Sequence, residues 1–190
     1  MLVAIIATFS MSSCTLVGSD EIGIKFTKFS SDSSKQGGVE GTCRGFVWYF
    51  PFTESVFTYP TTVQRKNYEP FTVNAKDAST FTMDPTIAYR LNPDKACDVF
   101  VKYRKPLEDL ENGYIRTCIY EAYRTCGNAF SSDSLMSHRA EFEAAVRARL
   151  EKTLASEGFI VEEFTSQITP PSSLMEMIDA KNRAKLWMAP

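Results

Sequence analysis

Phe81-Thr82-Met83-Asp84-Pro85-Thr86-Ile87-Ala88-Tyr89-Arg90-Leu91 is the stretch that decides the fold. Phe81 to Met83 and Thr86 to Leu91 are rich in aromatic and β-branched residues and read as two short strands. Upstream the same signal recurs. Ile22, Ile24 and Phe26 alternate with Gly23 and Lys25, the pattern of a half-buried strand. Gly45 to Phe50 (GFVWYF) is an aromatic run stopped by Pro51, and Val56 to Tyr59 and Phe71 to Ala75 add further short strands. Ser30 to Gly38 is polar and ends in glycine, which reads as a loop.

Downstream of Leu91 the period changes from two to near four. Asn92-Pro93-Asp94 ends the strands and opens a helix over Asp94 to Lys102, with proline in its first turn. Ile115, Cys118, Ile119, Ala122 and Cys126 form one apolar helical stripe, ended by Gly127 and Asn128. Ser134 or Ser137 caps a further helix with the stripe Phe142, Ala145, Val146, Arg149 (by its stem), Leu150 and Leu154, closed by Gly158. Phe159, Val161 and Glu163 then alternate with Ile160, Glu162 and Phe164, and Ile168 follows, as in a strand. Pro170-Pro171 turns the chain into a last helix capped by Ser172 or Ser173, carrying Leu174, Met177, Ile178 and Lys181. The expected class is α+β. A bent antiparallel β-rich first half precedes helices packed on a small mixed sheet, with a short C-terminal helix.

Composition narrows the function. The chain has 190 residues, with 21 Lys and Arg against 23 Asp and Glu, and no run of basic residues. A nucleic-acid binder needs a basic footprint, so none is expected. Aromatic content of 13% with net charge −2 excludes a largely disordered chain. One histidine, His138, leaves little material for a histidine metal site or a Ser-His-Asp triad. No metal and no cofactor are expected.

Leu2 to Phe9 (LVAIIATF) is an apolar run too short to span a bilayer, which takes about 20 residues. Met11-Ser12-Ser13-Cys14 follows it, placing two small residues directly before a cysteine. Residues 1–13 read as a secretory signal. The cut point resembles the lipobox of bacterial lipoproteins, which implies an acylated Cys14 as the first mature residue. The expected location is therefore the bacterial cell envelope, with the domain facing the periplasm or the exterior. Four other cysteines remain, Cys43, Cys97, Cys118 and Cys126, which allow three pairings. Cys118 and Cys126, eight residues apart on one helix, lie ~12 Å apart along its axis, beyond disulfide reach.

Several residues offer chemistry that a bland reading explains as well. His138 beside Arg139 reads as a solvated group near a helix start. Cys118 and Cys126 fall on apolar stripes and read as core rather than nucleophiles. Adjacent pairs Glu108-Asp109 and Glu162-Glu163 point apart on regular elements and read as solvated charge. No catalytic residue is assigned. Phe46, Trp48, Tyr49, Phe50 and Phe52 are the most unusual feature. They read either as a strand packed on both faces or as a membrane-surface contact near the anchor, since Trp and Tyr favour the interface.

The order of these motifs resembles the SPFH, or band 7, superfamily of stomatins, prohibitins and flotillins. Glu21-Ile22-Gly23-Ile24 is similar to its opening strand, and Gly37-Gly38, Gly45-Phe46 and Phe50-Pro51-Phe52 to its hairpin. Val47 or Trp48 stands where histidine is frequent. Lys76-Asp77 followed by Phe81 to Leu91 is similar to the family's central motif, with Ala78 in place of the usual glycine. Tyr114-Ile115-Arg116 and Arg139 to Gly158 match the helical stretch, and Lys181-Asn182-Arg183-Ala184 the opening of a coiled coil. The resemblance implies one domain over 14–170 and the start of a C-terminal helix over 171–190. It also implies a non-catalytic membrane scaffold that self-associates and organises or regulates membrane proteins, proteases among them. Fewer than the three or four heptads of a stable coiled coil follow Lys181, so an oligomer is expected to rest on the domain's own faces. The competing expectations are a monomeric lipoprotein binding a small ligand or one protein partner, and a thiol enzyme.

Overall fold

The computed structural model of the chain describes residues 13–29 and 38–187. The signal segment up to Ser12, the loop read over Ser30 to Gly38 apart from Gly38 itself, and Met188 of the last helix lie outside them. The described residues form an α+β fold of two larger sheets, a two-stranded ribbon and a helical layer around a continuous apolar core.

In chain order the strands are β1 (Ser13–Val17), β2 (Glu21–Thr27), β3 (Val39–Cys43), β4 (Gly45–Tyr49), β5 (Glu54–Pro60), β6 (Gln64–Asn67), β7 (Phe71–Asn74), β8 (Thr80–Leu91) and β9 (Phe159–Thr169). β2 lies between β3 and β5, antiparallel to both, and turns Ile22 and Ile24 into the core. Lys25 bridges its neighbours, with Nζ 3.0 Å from Glu54 and 3.4 Å from Glu40. The bond to Glu54 is the main cause that raises the Lys25 pKa. β1 and β4 form a separate two-stranded antiparallel ribbon. Only Arg44 separates β3 from β4, and Gly45 makes that corner at φ +75°, a conformation costly for any residue with a Cβ.

The second sheet is built on β8. β9 runs along one side of it, while β6 and β7 lie end to end along the other. The mixed sheet expected from sequence is mixed in origin, drawing strands from both halves of the chain, and its ladders run antiparallel. Two strands were expected where the structure has one, because Pro85 lacks a donor. Pro85 sits where β6 has ended and β7 has not begun, so no ladder partner needs its missing N–H. Its carbonyl still accepts from the Tyr68 N–H at 3.1 Å.

β9 departs from simple alternation. A bulge opposite Ala88 and Tyr89 shifts its phase, so Phe159 and Val161 face the core before it and Phe164, Ser166 and Ile168 after it. Glu162 and Glu163 are consequently both exposed rather than on opposite faces. They pair with Arg90 and Arg65 respectively.

The helices are α1 (Ala96–Tyr103), α2 (Leu107–Leu110), α3 (Arg116–Gly127), α4 (Ser132–Ser137), α5 (Arg139–Ser156) and α6 (Ser172–Trp187). A short 3-10 turn, Pro93–Lys95, leads into α1, and one π-type turn, Glu111–Ile115, joins α2 to α3. Phe100 of α1 packs on Phe26 and Phe57 of the first sheet, with ring centroids 4.9 and 5.2 Å away. The helix expected after residue 134 is two helices. Ser131, not Ser134 or Ser137, caps α4, and His138 breaks the chain before α5. Phe142, Val146, Leu150 and Leu154 of α5 are fully buried, whereas Arg149 is exposed and leaves the expected stripe. α6 is exposed along most of its length and touches the domain through Leu174.

Candidate membrane-contact face

The β1–β4 ribbon places an apolar face in solvent. Residues opposite each other in an antiparallel pair project to the same side. Cys14 lies opposite Trp48, and Leu16 opposite Phe46. These four side chains therefore share one face. Phe46 is 76% exposed, Leu16 64% and Trp48 59%, and Cys14 is exposed as well. The intervening residues Val17 and Val47 are buried on the other face. Tyr49, opposite Ser13, alternates with them and is half-buried, so it does not belong to the apolar face.

A fixed turn extends the face at the end of β4. Phe50 accepts from the N–H groups of Thr53 (3.1 Å) and Glu54 (2.7 Å), and its own N–H donates to Glu54 Oε2. Lys28 ties this turn to β2, its N–H donating to the Thr53 carbonyl and its Nζ to the Pro51 carbonyl. Phe50 and Phe52 are exposed on that turn, and Phe29, the residue after Lys28, is 79% exposed. Single exposed apolar residues are ordinary, but five on one ribbon and its turn, with Phe29 just beyond β2, form a patch of the kind that marks an interaction site.

Of the residues singled out from the sequence, Phe46, Trp48, Phe50 and Phe52 are exposed and Tyr49 is half-buried, while Leu16 and Phe29, not singled out there, are exposed as well. The alternation within Gly45 to Phe50 could have excluded Tyr49. Leu16 was hidden because the segment around Cys14 read as a processing site rather than a strand. In the structure Ser13–Val17 is a strand, and Cys14 is exposed within it.

The other candidates lie apart from this face. His138 is exposed, its Nδ1 2.8 Å from Ser137 Oγ. Glu108 and Asp109 are exposed in the first turn of α2. The five cysteines are free thiols. Burial pushes the thiols of Cys43, Cys97, Cys118 and Cys126 above their ordinary pKa, opposite to the activation of a nucleophile. Among the described residues no three His, Cys, Asp or Glu side chains converge as a metal site, and no helix is long and apolar enough to cross a membrane.

The SPFH domain / Band 7 family model matches residues 15–186, from β1 to the end of α6. The chain belongs to this family. Its members are generally membrane-associated and scaffold-like rather than catalytic. No individual curated protein matches the chain. The SPFH assignment agrees with the order of elements seen here, antiparallel strands first, then helices packed on a sheet, and a C-terminal helix. Asp77, in the family's central motif, accepts from Ser132 Oγ at 2.5 Å and from the Ser132 N–H at 3.2 Å. Those bonds, Ser132 Oγ first, hold its carboxyl below the usual range. Ala78, standing for the family's glycine, adopts φ +63°.

Proposed function

We propose that this SPFH chain is a lipid-anchored, non-catalytic scaffold of the bacterial cell envelope, seated on the membrane by its β1–β4 face. The observation that carries the reading is the Cys14–Trp48 register, which points the candidate acylation site the same way as Leu16, Phe46 and Trp48. Acyl chains on Cys14 would leave on the side where the aromatics meet lipid. Each acyl CH₂ buried contributes ~0.8 kcal/mol, and each exposed aromatic or leucine that enters the interface adds roughly 1–2 kcal/mol. The anchor and the face thus act as the two signals that stable attachment needs. In this reading the domain self-associates through its own faces and organises or regulates membrane proteins, proteases among them.

The test is flotation of the full chain with anionic vesicles, followed by size exclusion with light scattering in mild detergent. Co-flotation with a discrete multimer is expected. Failure to float overturns the membrane reading. A clean monomer overturns self-association and favours a lipoprotein that binds one ligand or partner.

A further inference from the structure

α6 leaves the domain after Pro170-Pro171 and lies beside α4. The N–H groups of Leu174 and Met175 both donate to the Pro171 carbonyl, which sets the first turn. Leu174, Met177, Ile178 and Lys181 follow at i, i+3, i+4 and i+7, so one face of α6 is turned toward the domain. Leu174 packs on the core and Ile178 is half-buried. Between this face and the domain runs a groove of about 330 Å³, whose far wall is Asp77 and α4, with Met136 as its apolar member.

The two walls are held differently. On the domain side, Asp77 accepts from Ser132 Oγ and N–H at the start of α4, and Leu135, beside Met136, is buried. On the other side, no hydrogen bond or ion pair among the described residues ties α6 past its first turn to the rest of the domain; the Arg183 bond to the Asp179 carbonyl stays within the helix. Apolar contact alone keeps α6 in place.

The methionines are placed unevenly. Of the four among the described residues, Met83 is fully buried in the core, while Met136, Met175 and Met177 are 41%, 46% and 68% exposed. Met136 and Met177 line the groove from opposite walls, and Met175 lies outside it. A thioether open to solvent that also lines an apolar contact is where oxidation changes structure, because the sulfoxide is polar.

We propose that Met136 and Met177 are oxidation sites for a peroxide, and that their sulfoxides release α6 from α4. In each step the peroxide O–O bond breaks and one oxygen passes to the thioether sulfur. The sulfur is oxidised by two electrons, and hydrogen peroxide is reduced to water. Polar S=O groups then occupy a groove in which nothing but apolar contact held the helix. The domain beneath keeps its core, because Met83 is out of reach of the oxidant. The proposal does not depend on the membrane reading, since the groove is formed by α4 and α6 and not by the β1–β4 face.

The experiment treats the detergent-extracted full chain with hydrogen peroxide, removes the excess with catalase, and reads peptide masses and amide hydrogen exchange. One added oxygen is expected on each of Met136 and Met177. Exchange over residues 174–184 should quicken by roughly threefold or more, with β8 and α5 unchanged. Met136→Leu combined with Met177→Leu conserves apolar volume and keeps Met175 and every cysteine. In that chain α6 should exchange at the same rate before and after peroxide. Methionine sulfoxide reductases acting on both epimers should restore slow exchange in the unaltered chain. Three results overturn the proposal: Met136 and Met177 left unoxidised, both oxidised without faster exchange in α6, or equal release in the double leucine chain. If that chain fails to fold, the repair arm decides, and exchange that stays fast after complete repair overturns it.

Discussion

Cys14 sits directly across the β1–β4 ladder from Trp48, and the two side chains leave the ribbon on the same face. A lipid on one would therefore draw the other toward the bilayer. Nothing in the spacing of positions 14 and 48 along the chain announces this. It follows from one antiparallel register.

Replacing Phe46 and Trp48 with glutamate should abolish vesicle binding by a Cys14→Ser chain, which lacks the proposed acylation site and, on the proposed function, depends on the face alone. Cys14→Ser by itself should still float, more weakly than the parent. Both changed positions are exposed, so the thermal midpoint should hardly move, as exposed substitutions generally fall within about 0.5 kcal/mol. With Trp187→Phe as background, Trp48 emission should shift to the blue on adding vesicles. An unshifted spectrum would exclude contact of this face with lipid.

Ala78→Gly should stabilise the domain. Ala78 is held at φ +63°, where a residue with a Cβ loses roughly 1–2 kcal/mol that glycine does not. Glycine's greater freedom in the unfolded chain returns part of that gain. A net increase of up to about 1 kcal/mol is expected from urea denaturation with an unchanged slope. A decrease would mean that the turn is not held at positive φ.

Two buried tyrosines should behave oppositely. The Tyr89 hydroxyl donates to Glu111 Oε1 at 2.7 Å, and Lys66 lies 3.5 Å from the other oxygen of that carboxylate. Tyr89→Phe removes a donor from a charged acceptor and should cost about 1.5–3 kcal/mol. The Tyr123 hydroxyl is buried without a hydrogen-bond partner among the described residues. Tyr123→Phe should be neutral or stabilising, because no bond is lost and a buried polar atom disappears. Equal losses in the two variants would contradict these assignments.

Acid should release a contact between α1 and the end of α5. Glu157 accepts from Lys102 Nζ at 2.6 Å and from the Tyr103 hydroxyl at 2.9 Å. The bond from Lys102, ahead of that from Tyr103, lowers the Glu157 pKa from 4.5. A depressed carboxylate stabilises the fold above its unfolded pKa, and that contribution is lost as pH falls through the folded value. Glu157→Gln should therefore cost about 1 kcal/mol near pH 7, a figure reduced by the exposure of Lys102, and almost nothing near pH 3. Denaturant midpoints at the two pH values test the sign.

Much of the fold was legible in the sequence because burial leaves a period. Ile22 and Ile24 announced a strand by alternation, and Phe142, Val146, Leu150 and Leu154 a helix by their spacing. The misreadings fall where a local rule met a tertiary exception. Pro85 reads locally as a strand end, but the gap between β6 and β7 removes the need for its N–H. Glu162 and Glu163 alternate by local pattern, but a bulge turns both outward. Arg149 fitted an apolar stripe by position, yet lies on the solvent side of α5.

The candidate site divides in the same way. Sequence alone determined that an aromatic run, Gly45 to Phe50, exists, and that Cys14 follows an apolar segment. It also determined the α+β class, because the change of period after Leu91 is a local property of the chain. Only tertiary structure decided that Leu16 joins the aromatic face and Tyr49 does not, and that arginines of α5 bond the Ser166 and Glu162 carbonyls of β9. Register and edge cover depend on which strands meet across long stretches of chain, and no local period encodes that pairing.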